Sequence, residues 1–231
     1  MSRSFFVTGT DTDVGKTFAT CVLLQLAGDQ GLSTAAVKPV AAGVSDYPQG
    51  ACNEDVVLLQ QACSVKLSKQ QINAVSFSEP IAPHIAANNE GIQLRASELV
   101  KHTRQMIARN YDLTLIEGAG GWRVPLNDSE YFSDIARQLT LPVILVVGMR
   151  LGCINHALLS AQAIQADGLA LAGWIANQVD PHMLNYAENI AALKERMPCR
   201  MLCEIPWSSC PEKGADALKT ASFDIHQLLR K

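Results

Sequence analysis

The sequence has few charged residues, no basic block and no long apolar run. Only 18% of the 231 residues are charged, 6% are aromatic, and the net charge is −3. Because binding to nucleic-acid phosphates depends on clustered Lys and Arg, this composition argues against a nucleic-acid partner. The longest apolar run, residues 141–149, is too short to cross a bilayer. A charged fraction below the usual quarter leaves room for extra buried surface, such as a subunit interface.

The seven cysteines are an odd number, and none belongs to a Cys-x-x-Cys pair. This pattern favours reduced thiols over a disulfide framework or a metal site. A strand-like segment already begins at Phe5, which leaves no space for a signal peptide. We therefore expect a cytoplasmic protein. With 48% hydrophobic residues and no linker-like stretch, residues 1–231 are predicted to form a single domain.

The most informative segment is residues 5–17, which read Phe-Phe-Val-Thr-Gly-Thr-Asp-Thr-Asp-Val-Gly-Lys-Thr. An apolar strand enters a loop bounded by glycines, and a helix pattern follows. This order predicts a P-loop, in which loop N–H groups and a helix N-terminus bind phosphate. Lys16 would reach the terminal phosphates, and the hydroxyl of Thr17 would bind Mg²⁺. The alternative is an ordinary strand–turn–helix in which Gly15 only eases the turn.

The loop is one residue longer than the standard motif, because five residues lie between Gly9 and Gly15 instead of four. It also carries Asp11 and Asp13 where phosphate charge would gather. Since carboxylates repel phosphate, a metal ion or a cationic substrate group is expected nearby.

Apolar, β-rich segments alternate with helical patterns along the chain. The predicted strands are 5–8, 34–39, 113–117, 142–147, 171–177 and 201–205, with a weaker one at 74–77. The predicted helices are 16–27, 53–62, 94–108, 133–138, 154–166 and 183–196, with a short closing helix at 223–229. Several strands are apolar on both faces, which is typical of strands covered on both sides. The fold is therefore predicted to be α/β and P-loop NTPase-like, a doubly wound, mainly parallel sheet with helices on both faces.

In such a sheet, ligands bind beyond the carboxyl ends of the strands. Lys38 lies at the end of a strand, where its burial is costly unless it meets an anion, although it can also extend to the sheet edge. Glu117 ends another strand and precedes four small residues. With Asp55, it is a candidate for binding Mg²⁺, which prefers hard oxygen ligands. The alternatives are a glycine-rich turn closed by an acid, and simple capping of the next helix by Asn53 or Asp55.

Three further strand ends carry polar or aromatic residues. The amides of Asn177 and Gln178 can read the edge of an adenine, and residues 204–207 can form a wall for a base. The helix start at residues 152–155 offers free N–H groups for a carboxylate. The Pro/Gly/polar segment 39–53 is predicted to be a mobile active-site loop.

Six motifs together resemble those of ATP-dependent dethiobiotin synthetases. They lie at residues 8–17, 38–40, 83–86, 117–122, 151–156 and 204–207, in the family's order and over nearly the whole length. The resemblance also accounts for the long P-loop. It implies a cytoplasmic homodimer that converts 7,8-diaminononanoate, CO₂ and ATP into dethiobiotin, with Mg²⁺. The intermediates are a carbamate and then a carbamic–phosphoric mixed anhydride, which the second amine closes to a cyclic urea.

The resemblance also implies a set of site residues. The catalytic residues are Lys38, Lys16 and Thr12, and the metal ligands are Thr17, Asp55 and Glu117. The substrate-binding residues are Ala42, Gly152, Cys153, Ile154 and Asn155, with residues 152–155 supplied by the partner subunit. The ATP-binding residues are Asp13, Val14, Gly15, Lys16, Thr17, Phe18, Asp55, Glu117, Gly118, Ala119, Gly120, Asn177, Gln178, Ile205, Pro206, Trp207 and Glu212.

Ala42 departs from the family pattern, which has Ser at this position. The missing hydroxyl removes one possible hydrogen bond to substrate, worth about 1 kcal/mol. A paralogue with a shifted substrate or without turnover therefore remains an alternative. An amidotransferase-type synthetase and a partitioning-type nucleotide-switch ATPase are further alternatives. The first needs a glutaminase for which the chain has little room, and the second usually has an additional lysine where this P-loop has acids.

Overall fold

The computed structural model describes residues 3–45, 52–208 and Leu228. Within these residues the chain forms a seven-stranded, fully parallel sheet with the order β3-β2-β4-β1-β5-β6-β7. The strands are β1 Arg3–Gly9, β2 Thr34–Ala42, β3 Asn73–Phe77, β4 Leu113–Glu117, β5 Val143–Met149, β6 Leu171–Gln178 and β7 Met201–Ile205. The helices are α1 Lys16–Asp29, α2 Glu54–Ala62, α3 Lys69–Ile72, α4 Pro83–Asn89, α5 Ala96–Ile107, α6 Ser133–Leu139, α7 Cys153–Ala166 and α8 Tyr186–Arg196.

The central strands are covered on both faces. Every residue of β4 and β5 is buried, as are eight of the nine residues of β2. Consecutive side chains of a strand point to opposite faces, so unbroken burial requires helices on both sides. The edge strand β3 instead alternates between partly buried or buried and exposed residues. The prediction of a doubly wound parallel sheet is confirmed.

The strand order reverses at β1, which lies between β4 and β5. The loop that leaves β1 therefore opens into the crevice between the two halves of the sheet. In parallel α/β sheets this reversal is where ligands bind. The fold thus positions the predicted P-loop at the binding crevice.

Most predicted elements are confirmed within a few residues, and two short helices were missed. Neither α3 nor α4 was predicted, because each is too short to show a helical period. The segment 39–53 is not wholly a loop, since residues 39–42 complete β2. The predicted helix 183–196 begins only at Tyr186, because Asn185 adopts a left-handed φ of 51°. The closing helix at 223–229 lies outside the described residues except for Leu228.

None of the helices within the described ranges has the length and apolar character needed to span a membrane.

The sheet places two glycines against Val14 of the loop after β1. A Cβ atom at Gly9 would lie 2.6 Å from Val14 Cγ2, and one at Gly148 would lie 2.7 Å from Val14 Cγ1. Because Gly9 and Gly148 have no side chain, Val14 can pack against β1 and β5.

We predict that Gly148→Ala lowers the free energy of unfolding by about 1–3 kcal/mol, because the added methyl group overlaps Val14. Urea unfolding measures this change. The control is Gly28→Ala in α1, where the new Cβ would lie 3.4 Å from Ser64 Cβ, an ordinary contact. In a helix this change should be neutral or stabilise by about 0.5–1 kcal/mol. Equal unfolding midpoints for the two variants would contradict the close approach.

Candidate nucleotide and metal site

The loop between β1 and α1 has the geometry of an anion-binding turn. Gly15 has a φ of 76° and is followed at once by Lys16, the first residue of α1. A side chain at Gly15 would collide with the amide of Asn177. No side chain caps the first turn of α1. The N–H groups at this helix start therefore have no intrahelical acceptor and can bind an anion.

Lys16 is buried against this loop, with 8% of its surface exposed. Its Nζ donates to the carbonyl oxygen of Asp11 at 3.0 Å. Burial lowers the pKa of Lys16 to about 8, while Glu117 opposes this change and Lys38 adds to it. The ammonium group thus contacts a neutral carbonyl instead of a carboxylate. A phosphate would provide the missing counter-charge.

Lys38 lies between two carboxylates. Its Nζ is 2.5 Å from Asp55 Oδ2 and 2.7 Å from Glu117 Oε1, and Glu117 is fully buried. Burial alone would lower the pKa of Lys38, but Glu117 and then Asp55 raise it above its ordinary value. Burial would likewise raise the pKa of Asp55, whereas Lys38 holds it below the ordinary value. Lys38 and Asp55 are therefore both charged at neutral pH.

The predicted metal ligands meet at this cluster. Thr17 Oγ1 donates to Glu117 Oε1 at 2.8 Å. The ammonium group of Lys38 donates to both Glu117 and Asp55. Glu117 Oε2 is buried and has no hydrogen-bond partner within the described part of the chain. No group of three or more His, Cys, Asp or Glu forms a metal cage among those residues. Mg²⁺ commonly uses only one or two carboxylates and keeps several waters, so a hydroxyl and two carboxylates fit this ion.

The glycine-rich segment after β4 runs along the P-loop. A Cβ at Gly118 would lie 3.1 Å from the ring of Phe6, and one at Gly120 would lie 3.4 Å from Thr12 Oγ1. Gly120 also has a φ of 57°. Thr12 is exposed at the loop. The structure therefore brings Thr12 close to Gly120.

The end of β6 is bonded to the same loop, and the residues after β7 are bonded to the end of β6. Asn177 Nδ2 donates to the carbonyl oxygen of Val14 at 2.9 Å, and Asn177 is 95% buried. Gln178 Oε1 accepts a hydrogen bond from the backbone N–H of Trp207 at 3.2 Å. Ile205 is buried, whereas the side chain of Trp207 is exposed. The remaining predicted contact, Glu212, lies outside the described residues.

The predicted substrate residues lie beside the ends of two different strands. Ala42 ends β2, whereas Gly152 and Cys153 begin α7 after β5. Two strands, β4 and β1, separate β2 from β5 in the sheet. At about 4.8 Å per strand, this separation is about 14 Å. Within one subunit, the structure does not bring Ala42 and residues 152–155 together.

Sequence reasoning missed Arg150, which follows β5. Its Nη2 lies 2.7 Å from Asp11 Oδ2, and Asp11 Oδ1 accepts a hydrogen bond from the N–H of Thr12 at 2.8 Å. Asp11 was expected to face a metal ion or a cationic substrate group, but an arginine of the chain itself faces it. Arg150 directly follows the end of β5, and this position was the feature of the sequence that could have identified it as a site residue.

The parallel sheet, the P-loop at its strand reversal and the lysines and acids around it define a protein of the P-loop NTPase class. A family model described as an AAA domain matches residues 3–211. The chain is 52% identical to an ATP-dependent dethiobiotin synthetase of Pseudomonas aeruginosa, over 97% of each chain. It is 49% identical to one of Cellvibrio japonicus over 98% of each chain, and 47% identical to one of Escherichia coli K12 over 93% of this chain and 96% of that one. The chain belongs to the family of ATP-dependent dethiobiotin synthetases.

Solved structures share the fold at low sequence identity. The septum site-determining protein MinD from Pyrococcus horikoshii, complexed with Mg-ADP, matches with a TM-score of 0.53 and 18% identity, over 95% of this chain and 88% of that one. A MinC:MinD complex from Aquifex aeolicus gives 0.55 and 14%, over 93% and 86%. These likenesses show the fold alone.

The lowered pKa of Lys16 predicts a pH dependence of stability. Between pH 8 and 10.5 the unfolded chain binds a proton at Lys16 that the folded chain has released, since the folded pKa is about 8 and the ordinary value is 10.5. The free energy of unfolding should therefore rise with pH in this window, by at most about 3 kcal/mol. Lys16→Met should remove this rise.

Urea unfolding at several pH values from 7.5 to 10 measures the effect. Lys101→Met is the matched control, because Lys101 is exposed on α5. It should keep the pH dependence of the unchanged chain. The same slope for Lys16→Met and the unchanged chain would contradict the burial of a charged Lys16.

Proposed function

We propose that this protein is an ATP-dependent dethiobiotin synthetase, which forms dethiobiotin from 7,8-diaminononanoate, CO₂ and ATP in biotin biosynthesis. The observation that carries the proposal is the similarity over 97% of the chain to a relative of that name. The cluster of Lys38, Asp55 and Glu117 beside the P-loop supports it. Such a cluster suits a reaction in which an anion must form next to a triphosphate.

The first step needs a group that stabilises a carbamate. One substrate amine attacks CO₂, forming a C–N bond and releasing a proton. The resulting carbamate is an anion, and the ammonium of Lys38, the fifth of the nine residues of β2, is the nearby charge that stabilises it. We assign Lys38 this catalytic role.

The second step transfers a phosphoryl group. A carbamate oxygen attacks the γ-phosphorus of ATP, a P–O bond forms, and the bond to the departing ADP oxygen breaks. Lys16 and the free N–H groups at the start of α1 would hold the phosphates, and the hydroxyl of Thr12 would contact the γ-phosphate. In the third step the second amine attacks the carbamoyl carbon, closes the ring and expels phosphate.

We assign Mg²⁺ to Thr17, Asp55 and Glu117, where it would neutralise charge on the ATP phosphates. The base of ATP is assigned to the ends of β6 and β7. The bond to Val14 uses one donor of the Asn177 amide. The amide also has a second N–H and a carbonyl oxygen, which can read adenine. Trp207 and Pro206, both exposed, would form a wall of this pocket.

We predict that Lys38→Ala lowers the turnover of dethiobiotin formation by about 10²–10³-fold, because it removes the charge next to the carbamate. Dethiobiotin and ADP release are measured with ATP, Mg²⁺, bicarbonate and the diamine, omitting each in turn. Lys101→Ala is the control, and the unfolding midpoint checks that Lys38→Ala is folded. Full turnover by Lys38→Ala would contradict this role, and hydrolysis of ATP without the diamine would favour a nucleotide-switch ATPase.

We also propose that the enzyme is a cytoplasmic homodimer. Large apolar side chains around α7 and the loop before α8 are exposed: Leu151 by 95%, Leu184 by 85% and Leu159 by 56%. A second copy of the chain would cover them and bring residues 152–155 to the diamine site, which one subunit does not achieve. The start of α7 would then bind the substrate carboxylate.

We predict that Leu151→Asp shifts the protein from dimer to monomer and raises the KM for the diamine more than the KM for ATP. The charge would be buried in the interface, and the carboxylate site would be lost. Sedimentation or light scattering gives the mass, and steady-state kinetics gives both constants. Ile92→Asp is the control, because Ile92 is exposed by 40% and lies away from α7. Unchanged mass and KM values for Leu151→Asp would contradict the proposed interface.

A further inference from the structure

Asn53 precedes α2 and is 94% buried. Its Nδ2 donates two hydrogen bonds, to the carbonyl oxygen of Ala42 at 2.9 Å and to that of Gly43 at 2.8 Å. These carbonyls belong to the end of β2 and the residue after it. Asn53 therefore joins the beginning of α2 to the end of β2.

The way in which Asn53 bonds is unusual for its position. An Asn at a helix N-cap normally accepts a hydrogen bond from the helix backbone through its side-chain oxygen. Here the side chain makes no capping bond, and Asn53 Oδ1 is buried without a partner in the described part of the chain. The side-chain NH₂ group of Asn53 therefore forms hydrogen bonds, whereas its side-chain oxygen, the atom that would cap the helix, forms none within the described residues. Helix capping thus does not explain its burial.

The two segments joined by Asn53 carry residues of the proposed site. Ala42 is at the diamine-binding position, four residues beyond Lys38. Asp55, two residues after Asn53, is bonded to Lys38 Nζ. Gly43 is also held from the other side, because its N–H donates to the carbonyl oxygen of Phe77 at 3.0 Å. The segments are thus linked twice, through the Lys38–Asp55 ion pair and through Asn53.

We propose that Asn53 is a positioning residue that fixes the end of β2 relative to the start of α2, and so sets the diamine-binding backbone at Ala42 against the carboxylate of Asp55. This inference rests on the proposed function. Asn53 acts through its two backbone partners and touches no substrate itself. Its amide group matters as a double hydrogen-bond donor.

Two substitutions separate this role from helix capping. Serine is as good an N-cap residue as asparagine, but its short side chain has one donor and lacks the amide fork. Alanine has neither property. If Asn53 only caps α2, Asn53→Ser should behave like the unchanged enzyme and Asn53→Ala should not. If Asn53 positions the two segments, both variants should lose function to a similar degree.

The experiment measures KM for the diamine, KM for ATP and kcat, with the unfolding midpoint as a check on folding. For Asn53→Ser we expect a folded protein with a lowered unfolding midpoint, because the carbonyl groups of Ala42 and Gly43 lose their donor. We expect the diamine KM to rise about tenfold, because the backbone at Ala42 is no longer held in place. The KM for ATP should change less than twofold. Asn127→Ser is the matched control, because Asn127 Nδ2 also donates to a backbone carbonyl, that of Leu94 at 2.8 Å, and Asn127 is not among the proposed site residues.

A second measurement does not depend on turnover. Electron paramagnetic resonance follows Mn²⁺ binding in the presence of a non-hydrolysable ATP analogue. We expect Asn53→Ser and Asn53→Ala to weaken Mn²⁺ binding several-fold, because Asp55 is then held only by its ion pair with Lys38 among the contacts described above. Unchanged Mn²⁺ affinity together with an unchanged diamine KM would overturn the inference. If the unchanged enzyme formed no dethiobiotin, the proposed function would fail, and the Mn²⁺ titration would still decide the role of Asn53.

Discussion

The ion pair network of Lys38 with Glu117 and Asp55 is the constraint on which the site depends. Lys38 and Glu117 are buried almost completely, and each would be costly to bury alone. The parallel register of β2 and β4 pairs Val37 with Ile116. The next residues, Lys38 of β2 and Glu117 of β4, are therefore neighbours. The sheet therefore sets a positive charge beside a negative one, and α2 adds Asp55. Removing Lys38 would leave the buried carboxylate of Glu117 without its ion-pair partner.

The two lysines of the site are in opposite electrostatic situations. Lys38 has two carboxylate partners and a raised pKa, whereas Lys16 donates to a backbone carbonyl and its pKa is lowered to about 8. Lys38 thus organises the site before any ligand is bound. Within the residues that the structure describes, Lys16 has no anion at hydrogen-bond distance, so an incoming phosphate gains a strong interaction. This division of roles suits a reaction that assembles a triphosphate and a carbamate side by side.

Packing of glycines around Val14 gives the P-loop its shape. Gly9 and Gly148 leave room for the side chain of Val14, and its carbonyl oxygen accepts from Asn177. The loop is thereby joined to β1, β5 and β6 at once. Asp11 adds a contact to Arg150 across the crevice. A loop held at so many points can present its N–H groups in a fixed arrangement, which lowers the cost of ordering them around a ligand.

The sequence by itself determined the P-loop, the parallel α/β class and the position of Glu117 at a strand end. It also predicted Lys38 at a strand end, but β2 continues to Ala42 and Lys38 is in its middle. These features depend on local patterns: the glycine spacing, the continuous apolar runs and the residue that follows each run. Tertiary structure decided the hydrogen-bond and ion-pair partners of the site residues, because these contacts form only when distant segments fold together. The contacts are Asn53 with the carbonyl of Ala42, Arg150 with Asp11, and Asn177 with Val14. The strand order and the register of the sheet create these contacts. A local pattern contains neither, since strands far apart in sequence become neighbours only through the packing of the whole chain.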